Sequence, residues 1–194
     1  MEHWRYYIRG RLLEALGRAQ ESISAYQAAL RVNPDFHRCS NRIAYILAGL
    51  ERYAEAEPYF KAVLDADPGN AVAHFNLGYT YDKRGMFEKA IEAFREATRL
   101  NSKIDRAWYG LGLAHAALGK HEDAARALRE AATLQPMNSY AWYQLGMAHH
   151  KLHNPEKVDE VVMHLIRFDP KMARRLIVDA ERGDLAYLVK DLVV

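Results

Sequence analysis

The stretch Asp105–Asn138, DRAWYGLGLAHAALGKHEDAARALREAATLQPMN, decides the fold. Trp108, Leu111 and Gly112 stand at W-x-x-L-G spacing. Ala124 and Leu128 follow at A-x-x-x-large apolar spacing, and Pro136 closes the segment. The stretch reads as a helical hairpin. One such hairpin cannot bury its own apolar face, so the chain must supply neighbours.

It does so at steps of 34 residues. Pro136 is matched by Ser102, Pro68 and Pro34 behind it and by Pro170 ahead. Gly112 is matched by Gly78, Ala44 and Gly10, and by Gly146. Ala124 is matched by Ala90, Ala56 and Ser22, and by Val158. Five units in register, 3–36, 37–70, 71–104, 105–138 and 139–172, follow without insertion. In these marks the chain resembles the tetratricopeptide repeat family over nearly its whole length. The quoted stretch departs from that pattern at His115, where Tyr is usual, and at Leu128, where Phe is usual. The resemblance implies an all-α, right-handed α-solenoid of five hairpins.

Punctuation agrees with that reading. Gly17 ends a first helix, because glycine takes the left-handed C-terminal conformation at low cost. Asn33-Pro34 ends a second, because proline disfavours helix in the residue before it. Pro58 falls in the first turns of its helix and Pro155 at a helix start, where both are tolerated. The second unit departs most at its start, with Ser40, Ile43 and Ala44 at the Trp, Leu and Gly places. Gly112 and Ala124 are expected to face each other where the two helices cross, with Trp108, Leu111 and Leu128 filling the groove beside them. Beyond the repeats, 173–194 is expected to form a C-terminal helical cap. Leu176, Ile177 and Ala180 suit one helix, Gly183 breaks it, and Asp184 opens a shorter one carrying Leu185, Leu188, Val189, Leu192 and Val193.

Composition bounds the function classes. The chain has 194 residues and a formal net charge of +2, too small an excess to argue by itself for nucleic acid or membrane. Cys39 is the only cysteine, so no intramolecular disulfide and no CxxC motif exist, and a small buried residue is expected there. No apolar stretch is long enough to cross a membrane, and MEHWRYYIRG lacks a signal-peptide core, so a cytoplasmic protein fits. The first repeat begins near residue 3 without a capping segment, which suggests a longer chain or a partner covering that end.

Catalytic signals are weak, and a non-enzyme without cofactor or metal is expected. His149 and His153 lie four apart on one helix face, and His115 is the equivalent of His149 one unit earlier. His115 and His149 occupy the Tyr column, however, which makes them packing residues. Glu88, Glu92 and Glu96 form a solvated ridge. Every glycine sits at a helix crossing or end, so no phosphate loop is present.

The family resemblance implies that the first helices of successive units line a concave groove. By register that groove carries Tyr7 and Arg11, then Arg38, Asn41, Arg42 and Tyr45, then Phe75, Asn76, Tyr79, Asp82 and Lys83. Arg106, Tyr109 and Leu113 follow, then Tyr140, Tyr143, Gln144, Met147 and His150. Six of the chain's twelve tyrosines fall in this set, and its arginines and Lys83 face a single acid, Asp82. Tyr and Arg are favoured at interface hot spots, and Asn41, Asn76 and Gln144 can pair with a peptide backbone. The expected function is a non-catalytic protein–protein interaction scaffold or adaptor. Its partner would be a protein or peptide with acidic and apolar or aromatic groups. Packing alone would also spread tyrosines and arginines along such helices, which is the competing explanation.

Some relatives grip acidic C-terminal carboxylates with two Lys, an Arg and two Asn. Asn76 and Arg106 match two of those places, but Asn41, Tyr45 and Gly110 do not match the others. Three alternatives remain at this point. The chain could be the adaptor region of a larger enzyme such as a glycosyltransferase or kinase. It could be an RNA-binding helical repeat. It could self-associate through terminal repeats or its C-terminal helix.

Overall fold

The computed structural model describes residues 1–190. Eleven α-helices and a final 3₁₀ helix succeed one another, with no strand among the described residues. Backbone contacts divide the chain into two compact units, Met1–Leu100 and Asn101–Val194.

The first unit holds three hairpins. These are α1 (Glu2–Ala15) with α2 (Ala19–Val32), α3 (His37–Gly49) with α4 (Tyr53–Ala66), and α5 (Ala71–Lys83) with α6 (Phe87–Leu100). A large residue recurs at one place in each second helix: Tyr26, Phe60 and Phe94, all essentially fully buried. It lies against the small residue of the first helix. A Cβ on Gly10 would stand 2.5 Å from Tyr26 Cε1, and one on Gly78 would stand 2.7 Å from Phe94 Cδ1. The ring therefore occupies the volume of the missing side chain. Burying the Tyr26 hydroxyl requires a partner. It donates to Glu14 Oε2 at 2.7 Å, and burial followed by that carboxylate pushes its pKa up to about 12. Ser22 stands in the alanine column and donates to the Gly10 carbonyl at 2.8 Å, so its hydroxyl is also satisfied. Cys39 is fully buried, and burial pushes its thiol up to about 12, an unreactive state.

In the second unit α7 (Asp105–Ala117) pairs with α8 (His121–Leu134), and α9 (Ser139–Lys151) with α10 (Pro155–Ile166). A Cβ on Gly112 would lie 2.5 Å from Leu128 Cγ and 3.3 Å from the Ala124 carbonyl oxygen. Gly112 thus meets the Leu128 side chain first and Ala124 only through its backbone. Trp108 Nε1 donates to the Ser102 carbonyl and Trp142 Nε1 to the Pro136 carbonyl, each at 2.9 Å, so both indoles tie down the preceding turn.

Gly146 breaks the pattern. A Cβ there would meet Leu176 Cδ2 at 2.5 Å, and Leu176 belongs to α11 (Pro170–Asp179). Val162 stands in α10 where Phe94 and Leu128 stand earlier, and its side chain is smaller. Leu176 supplies the missing volume. The expected post-repeat helix therefore begins earlier than 173, at Pro170, with Asp169 accepting from the Met172 N–H at 3.0 Å. Pro170 opens a helix and does not close a unit, because proline suits the first helical position. The 3₁₀ helix Gly183–Val189 follows, with Val189 buried. Leu192 and Val193 lie outside the described residues.

Helix ends repeat too. Gly17, Gly85 and Gly119 have φ of 72°, 70° and 71°, the left-handed conformation that closes a first helix. The same register place holds Glu51 and His153, with φ of 59° and 53°. For residues with a Cβ this conformation costs about 1–2 kcal/mol. Glu51→Gly is expected to stabilise the protein by about 1 kcal/mol in urea unfolding, after the greater chain entropy of glycine is offset. Gly112→Val should do the opposite, destabilising by about 1–3 kcal/mol through overpacking against Leu128.

Carboxylates join neighbouring hairpins within the first unit. Glu57 of α4 receives Tyr81 Oη at 3.1 Å and Lys61 Nζ at 2.7 Å, and it also pairs with Arg84. Lys61 foremost, then Arg84 and Tyr81, hold the Glu57 pKa down to about 2. A depressed carboxylate stabilises the fold above its unfolded pKa of about 4.3 and loses that contribution as pH falls towards the folded value. Glu57→Gln should therefore flatten the stability profile between about pH 4.5 and 2. Urea midpoints measured across that window test it.

Candidate peptide-binding face

On α3, residues Arg38, Asn41, Arg42 and Tyr45 share one side at three- and four-residue spacing. On α5, Phe75, Asn76, Tyr79 and Lys83 do the same. Helix α5 is capped by Asn70, whose side chain accepts the Ala73 N–H at 3.0 Å. The two rows meet where Asn76 Nδ2 donates to Tyr45 Oη at 2.7 Å.

Tyr45 and Tyr79 are the exposed aromatics of this surface, at 42% and 40% of their full area. Each is held from behind. Tyr45 packs edge-on against Phe60 at 5.9 Å, and Tyr79 against Tyr53 at 6.1 Å. Lys83 Nζ sits 5.3 Å from the Tyr79 ring centroid. Asp82 is half-buried, and burial raises its carboxyl pKa while the Lys83 charge pulls the other way. Phe75 lies half-buried against Phe94 at 6.0 Å and lends the surface an apolar edge. Arg38 and Lys83 are exposed, and neither makes an ion pair among the described residues. Asn41 is half-buried beside them.

Two residues of the expected groove in this unit are committed elsewhere. Arg42 is held by Glu14, its Nε at 3.1 Å from Oε2, in the network that also satisfies Tyr26. Tyr7 is half-buried in an aromatic cluster, with ring centroids 5.6 Å from Trp4, 5.4 Å from Phe36 and 5.7 Å from Tyr26. Arg11 is exposed and reaches Tyr7 Oη at 3.5 Å. The Arg38 guanidinium also lies 5.7 Å from the Trp4 ring. Glu14 was the missed residue. Its signal lay in the register, since it is the acid on α1 that can reach Arg42 on α3.

In the second unit Arg106 and Tyr140 are exposed, while Tyr109 and Gln144 are half-buried. Burial first, and then the neighbouring Tyr140 phenol, raise the Tyr109 pKa. Tyr143 is taken up within the chain. Its hydroxyl donates to Asp179 Oδ2 at 2.7 Å, and the Arg175 guanidinium covers its ring at 4.9 Å. Asp179 and Arg175 both belong to α11, the helix drawn in by Leu176. Sequence reasoning placed that helix over an open end but did not assign it this contact.

His115 and His149 are buried, and no group of three His, Cys, Asp or Glu gathers among the described residues. His149 Nε2 is 3.3 Å from Arg129 Nη2, and burial followed by the Arg129 charge lowers its pKa, so it accepts as a neutral ring. No helix of the described residues is long and apolar enough to cross a membrane.

The tetratricopeptide repeat model matches residues 7–71, 75–136 and 116–157, most of the chain. This protein belongs to the tetratricopeptide repeat family. The general transcriptional corepressor ssn6 of Schizosaccharomyces pombe is 32% identical over 102 residues, covering 52% of this chain but 9% of that protein. The chain thus spans a small fraction of that curated relative's length. Among solved structures, YrrB, described as a tetratricopeptide repeat protein with an unusual peptide-binding site, aligns with a TM-score of 0.80. It is 21% identical, covering 91% of this chain and 90% of that one. MamA aligns with a TM-score of 0.79 at 22% identity, covering 95% and 96%. These likenesses establish the shared all-helical fold.

Proposed function

We propose that the protein is a non-catalytic interaction scaffold that binds a peptide segment of a partner protein along the α3–α5 surface. The observation that carries this reading is the Tyr45–Asn76–Tyr79–Lys83 row. Its two tyrosines are exposed yet fixed from behind, and neither Lys83 nor the neighbouring Arg38 makes an ion pair among the described residues. Rigid aromatics give contact area at small entropic cost. Arg38 and Lys83 would steer and hold acidic groups, and the Asn41 and Asn76 amides would register the ligand backbone. Arg106, Tyr109, Tyr140 and Gln144 would form a corresponding surface on the second unit. Arg42, Tyr7 and Tyr143 serve folding in this reading. YrrB, a tetratricopeptide repeat protein with an unusual peptide-binding site, supports a peptide as ligand.

Affinity purification with mass spectrometry, run beside the double variant Asn76→Ala/Tyr79→Ala, tests the reading. Partners recovered by the parent protein should bind the variant at least about tenfold more weakly, a loss of about 1.4 kcal/mol. Far-ultraviolet circular dichroism should not change. Binding should also weaken as salt rises from 50 to 500 mM, because the paired charges are exposed. Equal recovery by parent and variant would falsify the assignment of this face.

A further inference from the structure

The outer side of α1 is unlike that of any other first helix in the first unit. Ile8, Leu12 and Leu16 follow one another at four-residue steps and are 56%, 62% and 71% exposed. Beside that stripe run Arg5 and Arg9, also four apart. The register places equivalent to Arg5 hold Cys39 and Ala73, and those equivalent to Arg9 hold Ile43 and Leu77. All four are buried, because a preceding hairpin covers them. A regular hairpin packed on α1 in the same way would bury two guanidiniums where small or apolar side chains belong, a costly arrangement. The face is therefore apolar enough to need covering and too basic to be covered by another repeat of the ordinary kind.

Next to the arginine row lies a groove between α1 and α2. Its floor is Tyr6, Ala25 and Ala28, and its rims are Arg9 on α1 and Arg31 on α2. Arg5 extends the α1 rim towards Glu2. Glu21, which also borders the groove, is held by Arg18 at 2.6 Å. Arg5, Arg9 and Arg31 have no ion-pair partner among the described residues. We infer that this end of the first unit docks an amphipathic helix from a partner protein. The docked helix would set apolar side chains on the floor and carboxylates along both edges. Charge complementarity selects that occupant: a second copy would bring the same arginines against these, and like charges at close range repel. This surface differs from the α3–α5 face, and the inference does not depend on the reading given for that face.

The test selects on the full chain with a displayed library of 18-residue helices, their leucine face fixed and their edge positions randomised. Selected helices should be enriched in Asp and Glu at the edges. They should bind the triple variant Arg5→Glu/Arg9→Glu/Arg31→Glu at least tenfold more weakly, and Asn76→Ala/Tyr79→Ala as well as the parent. Ala28→Gln, which fills the floor without adding a charge that would pair with the arginines, should also abolish binding. The substituted side chains are at the surface or half-buried, and unchanged helicity and unfolding midpoints confirm that each variant is folded. Failure to enrich acidic edges, or binders indifferent to the triple variant, overturns the inference. So does arginine-dependent binding to vesicles of phosphatidylserine in place of helices, which would make the ligand a lipid surface. A dimer in sedimentation that the triple variant dissociates would make the occupant a second copy.

Discussion

The structure depends on a side chain that is not there. At Gly10, Gly78 and Gly112 even a single methyl carbon would stand within about 2.5–2.7 Å of the facing Tyr26, Phe94 or Leu128. Two helices approach closely only where one presents almost nothing, and the large residue of the other then fills that space to interior density. The pairing of small with large is what makes each hairpin a unit. It also explains α11. When Val162 is too small to reach Gly146, the volume must be filled from elsewhere, and Leu176 brings its whole helix with it. Asp179 and Arg175 then arrive beside Tyr143. One methylene-scale shortfall in α10 thus engages the Tyr143 hydroxyl and ring within the chain.

Charges obey a second constraint, set by the packing of one hairpin on the next. Arg42 answers Glu14, and Arg84 answers Glu57, in both cases across neighbouring hairpins of the first unit. These carboxylates also satisfy buried phenols, Tyr26 and Tyr81, that would otherwise lie unpaired. The ion pairs are therefore hydrogen-bond partners of the core and not decoration. Arg38 and Lys83 have no such duty, which is why they remain exposed to solvent and to ligands.

The repeat was legible because it is written in volume. Gly112, Leu128 and the turn at Gly119 announce a hairpin, and the same marks elsewhere announce its neighbours. Residues with unusual backbone demands were less legible: nothing in the identity of Glu51 or His153 declares a left-handed conformation, and only the Gly17–Gly85–Gly119 column reveals it. The candidate face was legible in part. Register placed Tyr45, Asn76, Tyr79 and Lys83 on one side of their helices, and the Asn76–Tyr45 hydrogen bond joins them. Register could not separate cations that solvate from cations that brace, because that depends on a partner many residues away. Arg42 and Arg38 lie four apart on one helix and look alike in sequence, yet one meets Glu14 and the other meets a Trp4 ring.

That distinction extends to the ends of the first unit. A register place is under packing constraint only when another hairpin covers it. Cys39 and Ala73 must be small because α3 and α5 are covered on that side. Arg5 occupies the same place on α1, where it is exposed, large and charged. Freedom from packing does not by itself explain Ile8, Leu12 and Leu16, since an uncovered face in water gains nothing from three adjacent aliphatic side chains. Exposed aliphatic side chains beside arginines that a regular hairpin would have to bury are two departures in opposite directions. The arginines call for acidic groups on whatever meets this end, and the aliphatic stripe beside them, outside the groove, calls for an apolar contact of its own.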